Sequence, residues 1–451
     1  MKKLNNLYDN MISYSNVNYI YNRVKNNCHN KKKVFEFIKY KNCNIIDILE
    51  KLKSESYEFS NFSIFLIHEK KYRIIMSENI RDKIVNQMIS YFILLPCFKC
   101  LIDSNIATRK NKGTSYGYKI LSDYINKIGL DKNIYVLKLD INKYFYNIDH
   151  DILYKMVEKR IKDKKALRIV RNIINLTDES YVNESINILI NREIRRVNSL
   201  KISDNEKSKK INELRSIPIY KKGKGLSIGC LSNQLFAIFY LNEVDHYIKE
   251  VLKHKYYIRY MDDLYVLDTD KKKLEKSYEL IVKELKKIEL NINNKSGIYR
   301  MNEGISFLGY TYYVKDNKLM IKYTNNTIRK IDRKLRKVYE SDFNFYYKSL
   351  NSYMGYFDKC NTNLYINKYR NMIINNRFDK YKLLKNRYNE YIIFIKYKNR
   401  YYSYGNDLVY INTLLDKKYS SFSFTNFNKV IKKIDKYVVL EGNNSLLSNN
   451  T

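Results

Sequence analysis

The feature that most constrains how this chain can fold is a pair of adjacent acids held between two apolar runs. Tyr257 to Tyr260 and Leu264 to Leu267 read as short strands, and Met261-Asp262-Asp263 lies between them. Such runs, bounded by turn residues, are the pattern of a hairpin in a buried sheet. A further β-branched and apolar run begins at Ile134 and ends on Asp140. If the two strands are neighbours, Asp140, Asp262 and Asp263 converge at one edge of the sheet. Clustered carboxylates repel one another unless a cation offsets the charge. Hard oxygen donors suit Mg²⁺, which binds through one or two carboxylates plus substrate phosphates. A pair of such ions suits in-line phosphoryl displacement. An exposed, solvated turn is the ordinary account of an Asp-Asp pair. It fits poorly between apolar strands.

The surroundings complete an α+β pattern. Gln234 to His254 repeats apolar residues near the helical period, as does Lys272 to Leu290. A strand pair is expected around Gly304 to Tyr323. The whole reads as a sheet covered by helices on one face. Residues 1–60 read as a basic helical extension, residues 185–216 as an exposed insertion, and residues 325–385 as helical again. The last residues, 441–451, are polar and expected to be a disordered tail.

Charge narrows the partner. Lys and Arg total 84 against 47 Asp and Glu, a formal net charge of +37. Small soluble domains usually carry about 2–8, so a polyanion is expected, with nucleic acid first. Abundant Lys, Asn, Ile and Tyr beside 12 Gly and 2 Pro also fits an A/T-rich coding genome, which inflates the total. Hydrophobic residues make up 45% of the chain, enough for a large core and against a disordered basic tail. No apolar run approaches the roughly 18 residues of a membrane span. The amino terminus carries no signal-like segment, so a cytoplasmic location and no membrane partner are expected. Cys97 and Cys100 have a zinc-like spacing and Cys28-His29 suggests further ligands, but the apolar neighbours Leu94, Leu95 and Phe98 favour a core segment.

Tyr260-Met261-Asp262-Asp263 resembles the YxDD box of reverse transcriptases. Further blocks follow the family's order: RIIMSENIRDKIV at 73–85, RKNKGTSYG at 109–117, LDINKYFYNIDHDIL at 139–153, GLSIGCLSNQLFAIFYLNEVDH at 225–246, LNINNKSG at 290–297 and FLGYTYYV at 307–314. The resemblance spans about residues 65 to 380 and is closest to bacterial, non-retroviral enzymes: those of diversity-generating retroelements, retrons and phage-defence systems, with group II intron enzymes more distant.

The resemblance implies a right-hand polymerase. Fingers and palm would occupy residues 61–322 and a helical thumb-like region 323–385, including Ser352-Tyr-Met-Gly355. It implies that Asp140, Asp262 and the Ile141 carbonyl hold two Mg²⁺ ions, with Mn²⁺ as a substitute and Asp263 helping to position them. Arg73 and Arg81 would neutralise the dNTP triphosphate, Phe145 would act as a steric gate beneath the sugar, and Gly229 and Gln234 would line the nucleotide site. Lys295 would protonate the departing pyrophosphate. Arg109, Lys110 and Lys112 would track template and primer, and the turn at Leu308, Gly309 and Tyr310 would grip the primer. Core packing is the other account of Phe145, and a solvated surface position that of Lys295. Many relatives have Gln-Gly where this chain has Ile228-Gly229, which implies lower fidelity.

Residues 386–440 read as a small α/β accessory module for nucleic-acid binding or docking. Its FIKYKNRYYSYGNDL at 394–408 resembles the opening of the mismatch-recognition domain of MutS proteins, with Arg400 and Tyr402 at the wedge positions. The expected activity is RNA-directed DNA synthesis from a DNA or RNA primer on an RNA template, with a cognate structured RNA or accessory protein as a further partner. The rivals are template-independent or self-primed synthesis in anti-phage defence, and a non-catalytic RNA-binding scaffold.

Overall fold

The computed structural model describes residues 3–28, 31–69, 71–341, 349–350, 352–353, 360, 377–397, 399–441 and 444–449. Two units divide it, Met1–Leu319 and Met320–Thr451. His29 and Gly355 lie outside the described residues, as does most of the span 342–376.

The first unit opens with α1 (Leu7–Met11), α2 (Tyr14–Asn27), α3 (Lys31–Lys39) and α4 (Lys41–Lys53). Ser13 accepts from the Asn16 N–H at the start of α2, the side-chain cap that orphan helix donors require. Val17, Ile20, Tyr21 and Val24 then bury one face of α2. β1 (Ser63–His68) and β2 (Tyr72–Ser77) form an antiparallel hairpin, and α5 (Ile80–Ile89) follows on the Asn79 cap. Tyr72, Ile74 and Met76 are buried while Arg73 is exposed, the period of two expected of a strand with one wet face. A π turn leads into α6 (Leu95–Cys97), and α7 (Thr114–Ile128) precedes β3 (Tyr135–Asp140).

After β3 come α8 (Tyr144–Asn147), α9 (His150–Glu158), α10 (Lys164–Ile174), α11 (Ser180–Ser199) and α12 (Asp204–Arg215). The expected insertion is thus a helical hairpin, α11 and α12. It is not wholly exposed: Val197 and Leu214 are buried with Tyr72 of β2.

The expected helix from Gln234 to His254 is instead α13 (Leu231–Tyr240) and α14 (Asn242–His246), broken at Leu241 and continued by a π turn, Tyr247–Val251. Leu235 through Tyr240 are buried without a gap, so α13 runs inside the core rather than along its surface. β4 (Tyr256–Tyr260), β5 (Asp263–Asp268), α15 (Lys271–Lys287) and β6 (Gly297–Arg300) complete an antiparallel sheet of order β4-β5-β3-β6.

That sheet is covered on both faces, a correction to the one-sided layer expected. Leu137, Leu139, Leu264 and Val266 join the main core with α13 and α15. On the other face Tyr265 meets Phe307 edge-on at 4.9 Å and donates to the Ser306 carbonyl at 2.8 Å. Phe307 ends β7 (Ile305–Phe307), which pairs with β8 (Tyr310–Lys315). The expected strand pair around Gly304 to Tyr323 is three strands in sequence, the third being β9 (Lys318–Tyr323).

The second unit contains α16 (Asn325–Ser341), α17 (Arg377–Arg387) and a four-stranded mixed sheet. Its strands are β10 (Ile392–Tyr397), β11 (Arg400–Tyr402), β12 (Lys436–Glu441) and β13 (Asn444–Asn449), in the order β11-β10-β12-β13. β10 and β12 are parallel, joined through α18 (Gly405–Leu415) and α19 (Phe424–Ile431). Phe394, Ile411, Phe422, Phe427 and Val430 form its core. The segment expected as a disordered tail supplies β13, paired along β12 from Glu441–Asn444 to Lys436–Asn449. Arg400 donates from Nε to Ser421 Oγ at 2.7 Å, and Tyr402 lies beneath the Arg377 guanidinium at 4.0 Å. Among the described residues no helix is long and apolar enough to cross a membrane.

Candidate active site

The acids are brought together by strand register. Asp140 ends β3 directly opposite Asp263 of β5, and Tyr260 of β4 is paired with the same Asp263. Met261 and Asp262 are therefore the two-residue loop of the β4–β5 hairpin. Met261 sits at φ 55°, in the left-handed region that such tight loops use. Asp140 and Asp262 line one cavity of about 530 Å³, together with Arg73, Ile141, Lys143, Tyr144, Phe145, Ile228 and Asn293. Lys71, Glu213 of α12, and Ser216, Ile217 and Pro218 just past that helix also line it.

Electrostatics mark the same place. Burial raises the Asp262 carboxyl above its ordinary value, and Asp140 adds to the shift while Arg259 and Arg73 oppose it. Burial, with Asp262 next, pushes Asp263 up to about 6, against the pull of Lys138. Carboxylates packed this closely favour whatever positive charge the site admits.

Among the described residues no group of three or more His, Cys, Asp or Glu is arranged as a metal cage. The expected convergence of three acids is, on the cavity wall, a pair. A pair fits magnesium, which takes one or two carboxylates and completes its shell from substrate phosphates and water.

Several supports of Asp140 escaped the sequence reading. Asn293 donates from Nδ2 to Asp140 Oδ2 at 3.2 Å, and its main-chain N–H reaches the Asp140 carbonyl at 2.7 Å. Ser296 Oγ accepts from the Asp140 N–H at 3.0 Å. Both residues stand in the 290–297 block, beside Lys295. Lys143 and Lys71 were also missed as wall cations, although each lies within three residues of an assigned position.

Arg73, Phe145, Ile141, Asp140 and Asp262 line the cavity. Arg81 does not: it pairs with Asp47 of α4 at 2.6 Å and lies over the Tyr57 ring. Lys295 is exposed, off the wall, with its N–H on Asn293 Oδ1 at 3.3 Å. Gln234 lies within α13, off the cavity wall, one turn past Cys230. Gly229 is needed for close approach, because a Cβ there would lie 2.2 Å from the Met76 carbonyl oxygen. The neighbouring Ile228 carbonyl accepts from the Met76 N–H at 2.9 Å, which ties this loop to β2.

Arg109 donates to the Ile102 and Asn105 carbonyls, and Lys112 pairs with Asp103 at 2.5 Å, so two of the three expected template cations brace their own loop. Lys110 is exposed. Leu308 and Gly309 form the tight β7–β8 turn at φ 50° and 88°, with Tyr310 buried behind them. The zinc-like cysteines are core: Cys97 is buried, its thiol donates to the Ile93 carbonyl at 2.9 Å, and burial pushes that thiol up to about 12.

The model of the reverse transcriptase (RNA-dependent DNA polymerase) family matches residues 61–312, more than half of the chain. Among curated proteins, a COX1/OXI3 intron 2 protein of Saccharomyces cerevisiae is 26% identical over 221 residues. That alignment covers 43% of this chain and 26% of the yeast protein, so the chain spans about a quarter of that relative's length.

Proposed function

The chain belongs to the reverse transcriptase (RNA-dependent DNA polymerase) family, and from that membership we propose that it extends a primer 3′-OH with dNTPs on an RNA template. The observation that carries the proposal is the shared cavity of Asp140 and Asp262, walled by cations and an aromatic ring. Reverse transcriptases use divalent metals such as Mg²⁺. Here Asp140, Asp262 and the Ile141 carbonyl would hold them, with Asp263 adjoining. Such ions supply charge neutralisation at the attacking and leaving oxygens.

The chain's own residues do the rest. Arg73, Lys143 and Lys71 offer positive charge to a triphosphate entering the cavity. Phe145 stands edge-on to Tyr144, ring centroids 5.8 Å apart. Its ring on the cavity wall would exclude a ribose 2′-OH. Ile228 gives the nascent base pair an apolar neighbour in place of an amide. Asn293 and Ser296 hold Asp140 in place, and the Leu308–Tyr310 turn would seat the primer end. Lys295 would reach the leaving pyrophosphate only by moving to the wall.

In this reading β3 to β6 form the palm, the β1–β2 hairpin and its attached helices the fingers, and the helical region after 323 the thumb. The yeast relative is by name an intron protein, which supports a retroelement lineage. The bacterial assignment rests on the motif pattern, and a defence role is one form of it. The second unit would act as an accessory nucleic-acid module.

The test is primer extension with purified protein, Mg²⁺, dNTPs and a primed RNA template, beside Asp262→Ala and a reaction without template. Template-dependent extension lost in the variant supports the proposal. Extension without template would favour self-primed synthesis, and RNA binding with no incorporation a scaffold.

A further inference from the structure

Behind the catalytic hairpin lies an ion pair with no contact to solvent. Arg259 of β4 and Asp245 of α14 are both 0% exposed. Nε and Nη2 of the guanidinium meet the two Asp245 oxygens at 2.7 and 2.6 Å, a bidentate fork. Tyr257 Oη donates to the same carboxylate at 2.6 Å. The remaining donors are also directed: Nη2 reaches the Ile238 carbonyl of α13, and Nη1 reaches the Met261 carbonyl, each at 2.7 Å.

Met261 is the left-handed residue of the two-residue loop, and its carbonyl carbon begins the peptide that carries Asp262. The Arg259 main chain is held as well. Its N–H donates to the Ser104 carbonyl at 3.0 Å, and its carbonyl accepts from Ile106 at 3.1 Å. One residue thus joins α13, α14, the hairpin loop and the segment leading to α7.

Stability alone is a weak reason for such a pair. Two charges taken wholly out of water cost more than most geometries return, and well-packed apolar substitutes are often as stable. What apolar substitutes cannot supply is a planar donor aimed at one carbonyl. The geometry assigns to the buried Arg259–Asp245 pair the positioning of the Met261–Asp262 turn, which places Asp262 on the cavity wall with Asp140. Arg259 is on this account a positioning residue, because its side chain is wholly buried and off the cavity wall.

The assignment rests on the polymerase reading for its kinetic readout but not for its binding readout. The experiment compares wild type, Arg259→Lys and the apolar pair Arg259→Met with Asp245→Leu. Thermal melts establish folding, electron paramagnetic resonance of free Mn²⁺ measures ion affinity without substrate, and primer extension gives kcat and KM. In the folded apolar pair, Mn²⁺ affinity and kcat should each fall about 10–100-fold, the range seen when groups supporting a metal ligand are removed. KM for dNTP should change little. Arg259→Lys, which keeps the charge but cannot fork between Asp245 and the Met261 carbonyl, should recover only part of the loss. It also supplies the readouts should the apolar pair fail to fold. Either variant folding with unchanged Mn²⁺ affinity and kcat would overturn the assignment. If wild type extends no primer, the polymerase reading fails, and the Mn²⁺ titration alone still decides this one.

Discussion

Asn293 holds Asp140 at both ends, through its side-chain amide on Oδ2 at 3.2 Å and its main-chain N–H on the carbonyl at 2.7 Å. Of the two bonds to Asp140, Asn293→Ala removes only the side-chain one, along with the Lys295 N–H bond to Oδ1, so the strand end remains anchored while the carboxylate gains freedom. Steady-state extension should show kcat reduced roughly 10–100-fold. Melting temperature should move little, since Asn293 is only partly buried.

Asp263 makes stability depend on pH. Its folded value near 6 exceeds the ordinary 3.8, so between those values the native state holds a proton that the unfolded chain has released. Stability then falls as pH rises through that window, by at most about 3 kcal/mol. In EDTA, Asp263→Asn should melt above wild type at pH 8 and level with it at pH 4. Mg²⁺ should raise the wild-type melting point at pH 8 and much less at pH 5, where the carboxyl is largely neutral. Equal responses at both values would sink the account.

Glu78 offers a second, independent titration. It is 8% exposed, and burial drives its carboxyl from 4.5 to about 8, with Asp82 adding to the shift. A raised carboxyl contributes stability at low pH that is lost as pH climbs to the folded value. Glu78→Gln mimics the protonated form. Its urea midpoint should match wild type at pH 5 and exceed it at pH 9.

Gly117 sets the distance between α7 and the β7–β8 turn. A Cβ there would lie 2.4 Å from Ile106 Cδ1 and 2.6 Å from Leu308 Cδ1. Overpacking of this kind costs about 1–3 kcal/mol, and Leu308, at the turn, is the more yielding neighbour. Gly117→Ala should weaken primer–template binding in a filter assay more than it lowers kcat at saturation. A variant that loses stability but binds normally would detach the turn from the primer.

Ile228 lines the cavity with a branched alkyl group, which in the proposed function stands beside the nascent pair in place of an amide. In single-nucleotide incorporation assays, Ile228→Gln should lower the ratio of wrong to right insertion. An unchanged ratio would remove Ile228 from fidelity.

The clustered acids were legible because their signals are local. A carboxylate after an apolar run and two acids in a tight loop are each contained within a few residues. The register that sets Asp140 opposite Asp263 follows once those strands pair. Arg259 was read only as a strand residue, since its partner Asp245 is 14 positions away on a helix and both are hidden. Arg81 and Arg109 are the opposite case. A cation within a motif block reads as a phosphate ligand, yet Asp47 and two carbonyls claim these side chains. The second covered face of the sheet was missed because Tyr265 between Leu264 and Val266 reads as strand propensity, and only the fold shows what Tyr265 packs on.

Tyr72 joins β2 to the α11–α12 hairpin: its N–H donates to Glu213 at 2.9 Å, its hydroxyl to Glu193 at 3.3 Å, and its ring is buried with Val197 and Leu214. Arg73, the next residue, and Ser216 to Pro218, just past α12, are both on the cavity wall. A chain segment inserted more than a hundred residues later is therefore bolted to the hairpin that carries the wall's arginine. Two stretches of the wall that are distant in sequence are thus fastened through one tyrosine, and a substitution at Tyr72 would loosen both together.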